Sequence, residues 1–255
     1  MFFIRVFLFF LILFGVGVKG EVLASSKILR NQESPKEVAE MLVKSNDTDL
    51  KKAKKIAEFI ATYFERDGFL EKEKFNSVKK NKVFEKPYKN DFFKTKVGDS
   101  FDFAKLYKEM CQAVGLEAVV IEGYAGQNIK SFNVVRAEQK AIHQGIDMMM
   151  GKIDSSLERY ASAWNGVKIK DKWILVDTYW MIKGEKVAYK NVSSVRQMER
   201  ILEQNKKRPF KRKNVGFDTR YFDATPREMI KTHFPYDAEW QLLRRPVPLQ
   251  EFVNN

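Results

Sequence analysis

The 255-residue sequence predicts an α+β fold, with helices first and an antiparallel β-hairpin later. Two helical stripes carry the first half of that statement. Leu50, Ala53, Ala57, Ile60 and Phe64 recur at three- and four-residue intervals, as do Phe103, Leu106, Tyr107, Met110, Cys111 and Val114. Two β-rich runs carry the second half: Ala161–Ile169 and Trp173–Tyr179, separated by the polar turn Lys170-Asp171-Lys172. No 20–50-residue repeat is visible, and strands do not alternate with helices as a parallel sheet requires. A chain of this length with 44% hydrophobic residues can bury one sizeable core, which excludes a disordered chain. Its single cysteine, Cys111, excludes a disulfide framework within the monomer.

Taken in order, Met1–Gly20 reads as a signal peptide. Arg5 precedes the uncharged apolar run Val6–Val18, and small residues follow at Gly20 and Ala24, so cleavage is expected after one of these. The run is short for a membrane span, which needs about 20 apolar residues, and an uncleaved N-terminal anchor is the alternative. Residues 21–47 form a lead-in, with Ser34-Pro35 starting a short helix to Lys44. Asn46-Asp47 opens a longer helix, Thr48–Arg66, which Gly68 stops. Residues 69–96 show no period and are expected to be loop with short elements. Gly98-Asp99 then opens a helix from Ser100 to Val114, ended by Gly115. Ala118–Ile121 is β-rich and closes at Gly123-Tyr124. Residues 126–158 read as a polar insertion, with a helix around Met148–Leu157. The run Trp173-Ile174-Leu175-Val176 is apolar on both faces and belongs inside a sheet. Helical signal returns at Ser193–Glu203, and the tail is rich in Pro and aromatics. Core and extension therefore divide as 48–185 and 186–255.

Several stretches together resemble the transglutaminase-like superfamily. They are Gly98-Asp99-Ser100-Phe101-Asp102-Phe103-Ala104, Val119–Tyr124, Ser162-Ala163-Trp164-Asn165 and Trp173–Trp180. The tail residues Tyr221-Phe222, Pro226, His233-Phe234-Pro235 and Trp240–Leu243 resemble the extension of its kyphoscoliosis-peptidase-like branch. The resemblance implies a papain-related fold in which a helix carrying the nucleophile position packs on an antiparallel sheet. It also implies a Cys-His-Asp triad, whose positions are here Ser100, Ser162 and Asp177. A helix N-terminus and a neighbouring histidine hold a cysteine as thiolate, and serine is far less acidic. The triad reads as Ser-Ser-Asp and is expected to be inactive. Independently of the family, a two-residue turn near Lys170-Asp171 would set residue 162 opposite residue 179, with Ser162 and Asp177 on one face.

Cys111 lies on an apolar stripe and is expected to be a buried structural thiol, about 16 Å along the helix from Ser100. His233 is expected to be a structural hydrogen-bonder in the tail, and His143 an exposed loop residue in the insertion. Two histidines and one cysteine leave no dedicated zinc site, and no phosphate-binding or calcium loop is present, so neither metal nor cofactor is expected. Trp164, Tyr124 and Trp180 are assigned to a binding cleft.

The net charge is +13, and losing Arg5 and Lys19 with residues 1–20 leaves +11. In an exported protein that charge meets anionic envelope polymers and lipid head groups, and nucleic acid is not expected. The densest basic patch is Lys206, Lys207, Arg208, Lys211, Arg212 and Lys213, read mainly as a solvated loop. The expected function is a non-catalytic binding or scaffolding module, exported to the periplasm or cell exterior. Its partner would be a peptide, a protein or an anionic envelope polymer, with contact to a membrane surface allowed. The alternative is a peptidase or transamidase using Ser100 with an unidentified base.

Overall fold

The computed structural model describes residues 34–79, 84–127, 157–183, 188–211 and 216–254. The expected signal peptide, most of the insertion with His143, and Arg212 and Lys213 lie outside the described residues.

Helix α1, Pro35–Leu42, starts at a capping box in which the Glu37 N–H donates to Ser34 Oγ and the Ser34 N–H to Glu37 Oε2, each at 3.3 Å. Helix α2, Asp49–Tyr63, is capped by Thr48 and buries Ala53, Ile56, Ala57, Phe59 and Ile60. It ends short of the expected Arg66. Phe64 turns extended, and Glu65–Arg66 form a short strand, β1, paired in parallel with β2, Val97–Gly98.

Gly68 does not stop a helix; it opens one. The preceding Asp67 accepts the Phe69 and Leu70 amides on Oδ1 at 3.1 Å each, capping α3, Gly68–Lys79. The expectation of loop over residues 69–96 is thus corrected. This helix buries apolar residues at its first turn, Phe69 and Leu70, instead of along a stripe, so no period shows. After it, α4, Phe92–Thr95, ends at Lys96 in the left-handed region.

Helix α5, Ser100–Ala113, is held by a second capping box, Asp99 with Asp102. It packs on α2, where the Tyr107 hydroxyl donates to the Ala53 carbonyl at 3.2 Å. Gly115, at φ +81°, turns the chain out of the helix. Five strands follow: β3 (Ala118–Ala125), β4 (Ala161–Ile169), β5 (Lys172–Val176), β6 (Phe222–Ala224) and β7 (His233–Pro235). They form one antiparallel sheet in the order β6-β5-β4-β3-β7. Helix α6, Val195–Lys206, is capped by Ser194 and lies outside this sheet. The short helices α7, Pro226–Met229, and α8, Leu249–Asn254, complete the tail.

The hairpin register agrees with the two-residue turn: Ile169 pairs with Lys172 and Asn165 with Val176. Lys170 takes the left-handed conformation at φ 55°. The ladder stops at Val176, however, so Ser162 faces Gly123 of β3 and has no partner in β5. Beyond Val176 the chain leaves the sheet in a turn closed by the Met181 N–H on the Asp177 carbonyl. The tail supplies the strands at both edges.

The sheet is curled. Three strand intervals separate β5 from β7, about 14 Å if the sheet were flat. That is farther than an aspartate and a histidine reach end to end, yet Asp177, just after β5, touches His233 of β7.

Candidate binding cleft

Ser100 opens α5, is 7% exposed, and its Oγ accepts the Ala163 amide at 3.4 Å. That bond fixes the helix N-terminus to β4. Ser100 and Ser162 line one cavity of about 630 Å³, together with Arg66, Glu71, Lys74 and Trp180. Of the three residues assigned to the triad positions, two therefore share the cavity.

The third is turned away. Asp177 is 1% exposed; its Oδ1 accepts the Trp180 amide at 2.8 Å and its Oδ2 pairs with His233 Nε2 at 3.0 Å. The other ring nitrogen of His233 is bonded to Thr232 Oγ1 at 2.8 Å. Trp164 and Trp180 pack edge-on to the imidazole, at centroid distances of 5.0 and 4.8 Å. Although Ser162 stands at the histidine position, Asp177 does meet an imidazole, one that the tail provides. His233 is a structural hydrogen-bonder, as its residue type in the tail motif suggested, but its partner is the core carboxylate. The signal available in the sequence was the coexistence of an orphaned aspartate with a second motif carrying a histidine.

The aromatic cleft needs a similar correction. Trp164 is 1% exposed and packs with Ile121, Leu175 and Met229 on the inner side of the sheet, so it is core and not cleft. Tyr124 is half-buried against Tyr236, with centroids 5.0 Å apart, and is not on the cavity wall. Only Trp180 of the three lines the cavity.

Charged residues that the sequence did not single out shape the wall. Glu71 accepts the Tyr179 hydroxyl, and the Arg66 guanidinium sits over the Tyr179 ring at 5.5 Å. Lys74 donates to the Ala161 carbonyl at the rim. Behind Ser100, Lys86 pairs with Asp102 at 2.6 Å and Asp99 at 3.4 Å. Burial, then the neighbouring Asp99 charge, pushes the Asp102 carboxyl above its ordinary range against the pull of Lys86. Burial likewise raises Asp67, against the Tyr88 hydroxyl that donates to it. Among the described residues no group of three or more His, Cys, Asp or Glu side chains could hold a metal ion. Cys111 is fully buried, and burial pushes its thiol up to about 12.

The described basic residues of the patch are exposed and, past Lys206, lie outside helix and strand, but the segment is anchored. Lys206 ends α6, Lys207 caps it and Arg208 follows in a bend, and Phe210 then inserts among Phe59, Tyr63, Phe64 and Phe93 at centroid distances of 5.5–6.0 Å. This anchor places Arg208 and Lys211 on either side of it. The described part of the run is thus structured, because one aromatic residue interrupts the charges.

A helix N-terminus delivered to the end of a curled antiparallel sheet, beside a buried His–Asp pair, defines an α+β protein of transglutaminase-like layout. The family model of the transglutaminase-like superfamily matches residues 36–178, and the chain belongs to that superfamily, on its kyphoscoliosis-peptidase-like branch. It is 25% identical over 219 residues to the human kyphoscoliosis peptidase, covering 86% of this chain and 26% of that protein. It is 28% identical over 151 residues to hillarin of Drosophila melanogaster, covering 58% of this chain and 14% of hillarin. The chain thus spans about a quarter or less of these curated relatives. Among solved structures, a crystal structure of a TGase aligns with 69% of this chain and 37% of its own at 17% identity and a TM-score of 0.36. Among the described residues no helix is long and apolar enough to cross a membrane.

Proposed function

We propose that this protein is a non-catalytic transglutaminase-like binding module, with Ser100 and Ser162 standing where active relatives carry nucleophilic cysteine and basic histidine. The observation that carries this reading is the engagement of Asp177. In a working triad the carboxylate orients the imidazole that activates the nucleophile. Here both Asp177 oxygens and both His233 nitrogens are occupied within a buried knot. A serine hydroxyl at a helix terminus needs a base within hydrogen-bond reach, and Ser162 accepts no proton at neutral pH.

The cavity is the binding site of this reading. Its wall mixes aromatic side chains with Arg66, Lys74 and Glu71, which suits an extended peptide carrying both apolar and charged groups. The peptidase name borne by its relatives points to the same ligand class. The Met1–Gly20 pattern supports export in this reading, and N-terminal sequencing from its native host should find cleavage after Gly20 or Ala24.

The purified protein should show no peptidase, amidase or amine-transfer activity above a Ser100→Ala variant. Turnover that Ser100→Ala abolishes would promote the enzyme alternative. A second test asks whether the cleft keeps its triad geometry: Ser100→Cys/Ser162→His should react with a thiol-directed probe at position 100 faster than Ser100→Cys alone. Equal rates would mean that residue 162 is not presented to α5. Cys111 contributes little background, being buried with its thiol pushed up to about 12.

A further inference from the structure

A second, smaller pocket of about 260 Å³ is formed where the basic run meets the core. Its cations are Lys96, Arg208 and Lys211, and its one carboxylate is Glu65. Each is positioned by the fold. Lys96 ends α4 in the left-handed region and lays its ammonium over the Phe210 ring at 4.6 Å. Phe210, packed into the aromatic core, holds Arg208 and Lys211 at the rim. Burial pulls the Lys96 ammonium below the ordinary lysine range against the Asp91 charge, and its Nζ donates to the Lys94 carbonyl at 2.7 Å.

The wall also carries acceptors. Asn205 is 4% exposed; its Nδ2 donates to the Tyr189 hydroxyl at 3.1 Å, and that hydroxyl donates to Glu65 at 3.3 Å. Asn205 Oδ1 has no partner among the described residues, a deficit that a buried polar atom seldom tolerates. A fully ionised oxyanion offers acceptors only and would leave Asn205 Oδ1 unserved, whereas Glu65 already takes the Tyr189 hydroxyl. A hydroxylated anion offers both kinds of group. The rings of Tyr63 and Tyr189 add flat apolar surface of the kind that packs against the C–H face of a sugar. The volume, below the usual range for drug-sized ligands, limits the occupant to about one such unit.

We propose that this pocket binds one anionic sugar unit, its carboxylate or phosphate held by Arg208 and Lys211 and its hydroxyls by Glu65 and Asn205. This site is separate from the Ser100 cavity and does not depend on what that cavity does. It gives the basic patch a specific ligand in place of a diffuse attraction to negative surfaces.

The test is calorimetric titration of the purified full chain, at low ionic strength, with tri-galacturonate, glucose 6-phosphate, inorganic phosphate and glucose. At least one of the two anionic sugars should bind about tenfold tighter than inorganic phosphate, and whichever is tighter identifies the acidic group. Arg208→Gln/Lys211→Gln should weaken it by about tenfold or more, since each removes a charge-assisted hydrogen bond. Lys206→Gln/Lys207→Gln removes the same charge outside the pocket and should stay within about threefold of wild type. Equal losses in the two double variants would reduce the site to surface charge. Inorganic phosphate binding as tightly as the sugars would make it a plain anion site, and silence of both sugars would remove it altogether.

Discussion

Replacing His233 by alanine tests how far the C-terminal extension holds the core together. The imidazole is 1% exposed and packs among Trp164, Trp180 and Tyr221. Its removal leaves Asp177 Oδ2 without its partner at a site that is itself 1% exposed. An unsatisfied buried acceptor costs about 1–3 kcal/mol, and deleting a buried ring adds about 2–3 kcal/mol for lost packing and the cavity left behind. The sum, about 4 kcal/mol, is a large share of the 5–15 kcal/mol that stabilises most domains. With a urea slope of about 2.5 kcal/mol/M, the unfolding midpoint should fall by about 1.5 M. Trp164 and Trp180 flank the ring, so tryptophan emission reports the transition from the site itself. His233→Ala combined with Asp177→Ala should cost less than the two single losses added, with a coupling of about 1–3 kcal/mol. A midpoint shift under about 0.5 M, or strict additivity, would refute the argument that the pair is an energetic tie between tail and core.

Gly123→Ala should be comparably damaging, because a Cβ there would lie 2.2 Å from the Phe234 carbonyl oxygen and 2.7 Å from Trp164; circular dichroism melting should show a loss of more than 10 °C or no folded protein. Native Cys111 should be silent to a thiol reagent at pH 8 and titrate as one thiol per chain in denaturant, its thiol being buried and pushed up to about 12. The Asp47 carboxyl is held well below its usual range by Lys51 and Lys55, which approach it at 2.8 and 2.5 Å, and by the Lys44 amide. Its folded pKa lies under the unfolded value near 4, so its contribution is present above about pH 4 and is lost as pH falls below that. Acid titration of Asp47→Asn should accordingly show a shallower loss of stability below pH 4 than wild type.

What the sequence made legible follows from where its information is local. Ser34-Pro35 and Asp99 mark helix starts because a capping side chain acts within three residues of itself, whereas α2 is capped by Thr48 and not by the expected Asn46-Asp47; the β4–β5 register follows from a two-residue turn. Helix α3 was hidden because Asp67 caps it while Gly68 looks like a stop for the helix before. The edge strands β6 and β7 have three residues each, too few for alternation to show. Ser100 and Ser162 were found through residue types at recognisable positions, and they do share a cavity. The His233–Asp177 pair spans 56 positions, and nothing near either residue announces the other. Trp164 was misplaced because strand alternation says which residues share a face without saying what covers that face.

The order of the strands bears on how this protein is made. Both borders of the sheet are sealed by residues 222–235, which follow in the chain every strand they pair with. Until then β3 and β5 each present an unpaired ladder, rich in Val and Ile, to whatever lies nearby. Chains interrupted before His233 would therefore be sticky intermediates rather than smaller working domains, and a chaperone that shields bare strand edges would matter most until residues 222–235 have been made.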